Sequence, residues 1–215
     1  MDVISNTLIK MPGIFNSTIG TCEVRLYGGW FEGENLSKLS QDVSVNIHEE
    51  FPAILNIPTT DGVCKINVTV ELAFSLLEEP SHNLFNTYRR KGKPNNIRVE
   101  KQIDIGCSAS ACPLPMAKKL IEKGFCPSVG CAHTGTNMVY RHEQKLVDTM
   151  LTCDLIYLAG HHYDCLIIIS ADDDFLPPIR TLLLRGVKVV RVHPKLSIDH
   201  QPISVAGRPL IEVGL

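Results

Sequence analysis

The sequence predicts an α/β fold with a central, mainly parallel sheet, and two observations carry that prediction. The last third reads as strand, helix, strand. "CLIIIS" (165–170) is a short apolar run with the composition of a strand buried on both faces. "FLPPIRTLLLR" has helical spacing, with proline near its start and Gly186 just past its end. "VKVVRV" (187–192) is the next apolar run. Two strands joined through a helix pair in parallel with a right-handed crossover. The second observation is a helical pattern just before this unit. "HEQKLVDTMLTCDLIYLA" (142–159) places Leu146, Met150, Leu151, Leu155 and Leu158 on one face.

The earlier elements follow in order. Residues 1–21 are mixed. "CEVRLYGGWF" (22–31) reads as a short strand entering a glycine turn. Residues 35–60 look irregular or weakly helical, with Pro52 and Pro58 as breaks. "CKINVTVELAFSLL" (64–77) alternates apolar and polar at first, the period of a strand with one wet face. "EEPSHN" turns the chain. "LFNTYRRKGKPNNIRVEKQIDI" reads as a basic β-ribbon with its tip near Gly92–Pro94. The sequence has no internal repeat.

The chain has 215 residues, enough for one α/β domain or one domain with a large insertion. Its 44% hydrophobic and 20% charged content is that of a soluble globular protein. A net charge of -2 excludes a globally basic nucleic-acid binder, so such a role needs a local patch. No apolar run approaches the roughly 18 residues of a membrane span. The first residues lack the basic start and apolar stretch of a secretory leader. A cytoplasmic location is expected, where eight cysteines point to thiols or metal rather than disulfides.

"ISADDDF" (169–175) raises the chemical question. Asp172 and Asp174 stand two apart at a strand-to-helix turn, and Asp173 is the expected solvated spacer. Asp148 and Asp154 lie six apart on the preceding helix. Carboxylates converging without cationic partners disfavour one another's ionisation. A hard divalent cation, Mg²⁺ or Mn²⁺, removes that cost. The residue types leave a second reading open: a solvated turn that caps the next helix.

The wider spacing resembles the carboxyl half of the NYN domain, a branch of the PIN-like nucleases. The matching residues are Lys145, Asp148, Asp154, Ser170, Asp172, Asp174, Phe175, Gly186 and Lys188. "VRLYGGWF" is similar to that fold's second strand. The resemblance implies a PIN-like, Rossmannoid three-layer fold over residues 1–34 and 132–215, with a β-rich, cysteine-containing insertion at 35–131. It implies a metal-dependent endoribonuclease site. Asp148, Asp172 and Asp174 would bind Mg²⁺ or Mn²⁺, Asp154 would support the site or bind through water, and Ser170 would orient a carboxylate. Phe175 is expected in the core. The family's first strand is central and ends in an Asp. Here the chain begins "MDVISN", so Asp2 stands for that Asp, with Asn6 beside it and the strand itself expected upstream. A strand supplied from elsewhere and a degenerate site are the alternatives.

The insertion holds Cys107 and Cys112, then Cys126 and Cys131, each pair spaced C-x4-C. Two such pairs suit a structural Zn²⁺, with His133 as a substitute ligand; four incidental thiols are the alternative. Cys22, Cys64, Cys153 and Cys165 sit in apolar stretches and are expected in the core. Arg89, Arg90, Lys91 and Lys93 form the best basic patch for RNA, single-stranded or structured, and Tyr88 is placed to stack on a base. A solvated hairpin tip is the alternative. Two functional readings follow. One is a metal-dependent ribonuclease. The other is a catalytically weakened module that binds RNA or a protein, or assembles as a homo-oligomer.

Overall fold

The computed structural model describes residues 2–11, 18–59, 62–92, 97–194 and 203–215. Lys93, one of the expected basic residues, lies outside them. The chain divides into two compact units, Met1–Thr87 with Lys145–Leu215, and Tyr88–Gln144. Residues 35–87, expected in the insertion, pack within the first unit.

The first unit opens with helix α1 (Asp2–Ile9), an element absent from the sequence expectation, and strand β1 (Ile19–Leu26). A glycine turn leads to the short pair β2 (Phe31–Glu32) and β3 (Asn35–Leu36). Helix α2 (Lys38–Glu50) follows where irregular or weakly helical chain was expected. Its start is capped: the Ser37 side chain accepts from the Ser40 N–H at 3.2 Å. Strand β4 (Ala53–Thr59) then pairs antiparallel with β5 (Gly62–Leu72), which pairs parallel with β1. Pro58 is tolerated inside β4 because that strand is the sheet edge. β5 shows the expected alternation, with Cys64, Ile66, Val68 and Leu72 inward and Lys65, Asn67, Thr69 and Glu71 outward.

After the second unit the chain enters α5 (Val147–Leu158), β8 (Leu166–Ile169), a 3₁₀ turn at Asp173–Phe175, α6 (Leu176–Leu184) and β9 (Val189–His193). The predicted strand–helix–strand unit is present, and β8 and β9 are parallel. The chain ends with the small hairpin β10 (Ser204–Val205) and β11 (Arg208–Pro209), then β12 (Ile211–Gly214), parallel to β9. β8 is half-covered rather than buried on both faces, with Ile169 at 43% exposure, because it lies at the edge of the β12-β9-β8 sheet.

Among the described residues the expected central sheet is seen as two three-stranded sheets. One is parallel throughout and the other is mixed. Among the described residues no strand hydrogen-bonds to both. A shared core joins them instead: Leu8, Met11, Ile57, Ile66 and Val68 pack with Val190 and Val192 of β9. A second core, on the other side of β9, gathers Leu155, Ile168, Phe175, Ile179, Leu182 and Val189. Phe175 is buried as expected.

The second unit contains β6 (Tyr88–Gly92), α3 (Leu114–Lys123), the single turn α4 (Gly135–Met138) and β7 (Tyr140–Gln144). The basic ribbon exists, but its partner strand is β7, fifty residues away, rather than the segment just after Gly92. His142–Gln144, expected at the start of the helical pattern, instead belong to β7, and α5 begins only at Val147. No helix among the described residues is long and apolar enough to cross a membrane.

The turn after β1 offers a direct test of packing. A Cβ on Gly28 would come within 2.7 Å of the Trp30 ring, which is buried and fixed by a 2.9 Å bond from its Nε1 to the Leu26 carbonyl. Gly28→Ala should lower stability by about 1–3 kcal/mol. Gly20→Ala, whose new methyl meets nothing closer than 3.7 Å, should cost far less. Urea unfolding of the two variants measures the difference.

Candidate active site

The acidic turn follows from its backbone. Beyond β8 the Ser170 N–H still donates to the Val192 carbonyl at 3.1 Å, so the ladder with β9 runs to the start of the turn. The Ser170 hydroxyl then accepts from the Asp172 N–H at 3.0 Å. The Asp172 carboxylate accepts from the Asp174 N–H at 2.9 Å and so caps the 3₁₀ turn. Asp172 thus caps the 3₁₀ turn that leads into α6, while α6 itself has no side-chain cap, and the Ser170 hydroxyl bonds the backbone of the turn. Asp172 and Asp174 are exposed.

Asp173 is not a free spacer. Its carboxylate accepts from Arg191 Nη2 at 2.9 Å, although the side chain is 66% exposed. Arg191 is 1% exposed. Along β9, Val190 and Val192 enter the shared core, so alternation sends Arg191 to the opposite face, beneath the turn. It also donates to the carbonyls of Ser170 (3.3 Å) and Asp172 (3.1 Å), and reaches Glu212 across the parallel pair at 3.5 Å. Sequence reasoning treated "VKVVRV" as plain strand and missed this cation. A single arginine inside an apolar run was the available signal.

Asp154 is also neutralised. It is 1% exposed, near the end of α5. One carboxylate oxygen accepts from the Leu77 N–H at 2.9 Å. The other accepts from the Tyr27 hydroxyl at 2.7 Å and lies 3.2 Å from Arg25 Nε. Arg25 also pairs with Glu71 and bonds the Ser75 carbonyl. Burial and the bond to Asp154 push the Tyr27 hydroxyl well above its ordinary pKa, so it stays a donor. The expectation of carboxylates without cationic partners is thus corrected at both Asp154 and Asp173.

Asp148 is exposed in the first turn of α5, where a negative charge suits the helix dipole. Asp2 and Asn6 lie on α1, not at a strand end. Oxygen donors suit Mg²⁺ or Mn²⁺, but among the described residues no three Asp, Glu, His or Cys side chains converge on an ion-sized site. The same holds for Cys107, Cys112, Cys126 and Cys131. They associate two by two. Bonds from Ala109 and the Cys112 thiol lower the pKa of Cys107, and bonds from Ser128 and the Cys131 thiol lower that of Cys126. Cys64 is buried, and burial raises Cys22 and Cys165, as core thiols require; Cys153 is exposed, against expectation.

In the basic ribbon, Glu143 takes up much of the charge. It pairs with Arg89 (2.9 Å), Arg141 (3.0 Å) and Lys91 (3.6 Å), and the Arg89 bond holds its carboxyl below the usual range. Arg90 instead lies over the Tyr140 ring, 3.7 Å from its centroid.

Two predictions follow from Asp154. Asp154→Ala leaves the Tyr27 hydroxyl and the Leu77 N–H without their acceptor and removes one of the two carboxylates beside Arg25, and should cost about 3 kcal/mol in urea unfolding. Tyr27 keeps its proton when folded at pH values where the unfolded chain has lost it. Its contribution is complete below about pH 10 and declines as pH rises beyond that. Between about pH 9 and about pH 11 the unfolding midpoint of the parent should therefore fall more steeply than that of Tyr27→Phe.

No curated protein and no solved structure matches the chain. The family match begins at α3, inside the segment expected to be an insertion, and it includes the whole acidic pattern. Residues 117–201 match the family model of the NYN domain, the family the sequence resembles.

Proposed function

We propose that the chain is a ribonuclease that hydrolyses RNA phosphodiester bonds at the acidic turn, with Asp148, Asp172 and Asp174 as its functional carboxylates and Mg²⁺ or Mn²⁺ as cofactor. The observation that carries this reading is the family match, which spans Lys145, Asp148, Ser170, Asp172 and Asp174 in one segment. The position of the turn supports it. In open α/β sheets sites form beyond the carboxyl ends of parallel strands, and the turn follows the end of β8. The three carboxylates are exposed, whereas Asp154 and Asp173 are engaged by arginines. The roles assigned to the chain are therefore limited. Ser170 and Arg191 hold the turn, and Asp172 and Asp174 present charge to a substrate.

A second reading is a weakened NYN-like module that binds RNA or a protein without cleaving. The lack of convergence of three ligand side chains among the described residues favours it.

Incubation of single-stranded and structured RNA with the full chain in Mg²⁺ or Mn²⁺ separates the two. Cleavage should occur, stop with EDTA, and fall by about a hundredfold in Asp172→Asn. Asparagine caps helices as well as aspartate does, so this variant should keep the parent's melting behaviour. Parent-level cleavage by Asp172→Asn defeats the assignment. RNA binding without cleavage selects the second reading.

A further inference from the structure

We propose that one face of the β6–β7 ribbon is a stacking platform for the bases of a single-stranded nucleic acid. This rests on the RNA-directed reading above but not on cleavage. The register sets Arg90 opposite His142 and Gly92 opposite Tyr140. Directly opposed residues share a face, and successive residues alternate. Tyr88, Arg90, Tyr140 and His142 therefore share one face, and Arg89, Lys91, Arg141 and Glu143 share the other.

The two faces have different chemistry. On the second, Glu143 gathers three cations. The first is a row of flat groups. Tyr88 and His142, diagonal neighbours across the ribbon, stack at 5.1 Å with 15° between their planes. His142 meets Tyr140 edge-on at 5.4 Å, and the Arg90 guanidinium covers Tyr140 at 3.7 Å. Tyr140 is nonetheless 47% exposed, and Arg90 and His142 are exposed as well. Aromatic rings and guanidinium planes are the surfaces on which unpaired bases stack.

Charge selects the occupant. The ten ribbon residues carry four cations, Arg89, Arg90, Lys91 and Arg141, and one carboxylate, Glu143, in a chain whose net charge is -2. A strand of bases on a phosphate backbone matches flat rings beside local positive charge. A duplex hides its base faces and cannot use the rings. Arg89, Arg90 and Lys91 were legible as part of a patch in the sequence; Arg141 was not. Their sorting by face was not, because it depends on β7, fifty residues away.

The test is fluorescence anisotropy with the full chain in EDTA, so that cleavage plays no part. The probes are labelled oligouridine RNA and oligothymidine DNA of about twelve nucleotides, and a duplex of the same length. Both single strands should bind more tightly than the duplex, and the RNA and DNA arms show whether the 2′-hydroxyl adds anything. Tyr140→Leu should weaken single-strand binding roughly tenfold, while Tyr140→Phe should retain it. If Tyr140→Leu melts below the parent, His142→Leu gives the same reading on the same face. Rings that merely brace the ribbon predict no difference between single strand and duplex. Equal duplex binding, no single-strand binding, or parent affinity in Tyr140→Leu overturns the inference. Binding without cleavage in Mg²⁺ counts against the nuclease reading alone, and cleavage with unchanged Tyr140→Leu binding counts against this one alone.

Discussion

A guanidinium at 1% exposure has to be neutralised where it stands, and Arg191 shows how much structure that requirement imposes. Its cost is offset by two carboxylates, Asp173 and Glu212, and by two backbone carbonyls, those of Ser170 and Asp172. These acceptors come from three places: the end of β8, the acidic turn and the neighbouring strand β12. One charge thereby fixes the path of the turn over the strand ends. It also decides which of the three consecutive aspartates is spent inward. Asp173 pairs with the arginine, so Asp172 is left to cap the turn and Asp174 stays in solvent.

Asp154 is the reciprocal case, a buried anion rather than a buried cation. Its oxygens bind Tyr27 and Leu77 and lie beside Arg25, so α5 is tied to the end of β1 and to the chain after β5. This matters because the two sheets of the first unit have no hydrogen-bonded strand in common among the described residues. What holds them is the shared apolar core, supplemented by polar ties such as these and the 2.9 Å bond from Tyr163 to Glu23. Apolar packing is not directional, and hydrogen-bonded charges are. The buried ion pairs supply orientation that a continuous sheet would otherwise provide.

Legibility in the sequence followed the range of the determining interaction. The strand–helix–strand unit from Leu166 to His193 was readable because local apolar periodicity, a proline start and Gly186 agreed with one another. The alternation of β5 was readable for the same reason. The β6–β7 pairing was not, since register is a property of two segments and only one was recognised. The irregular or weakly helical reading of 35–60 over-weighted Pro52 and Pro58: one follows α2, and the other sits on an edge strand where its missing N–H is harmless. Site residues divide the same way. The aspartates could be named from their spacing, but the arginines that discharge two of them come from β1 and β9, and nothing in a linear spacing pairs them.

That division changes what the acidic pattern means. An aspartate whose charge is matched by a buried arginine belongs to the folding free energy, and its loss is felt as instability. An exposed aspartate held by one backbone N–H carries little of that burden. Asp154 and Asp173 fall in the first class, with Asp173 the more solvated of the two. Asp148, Asp172 and Asp174 fall in the second. Charges that the fold does not need are the ones free to act on a ligand. The buried pairs take up the remaining carboxylates and leave Asp172 and Asp174 exposed beyond the end of a strand whose path Arg191 has already set, with Asp148 exposed on α5.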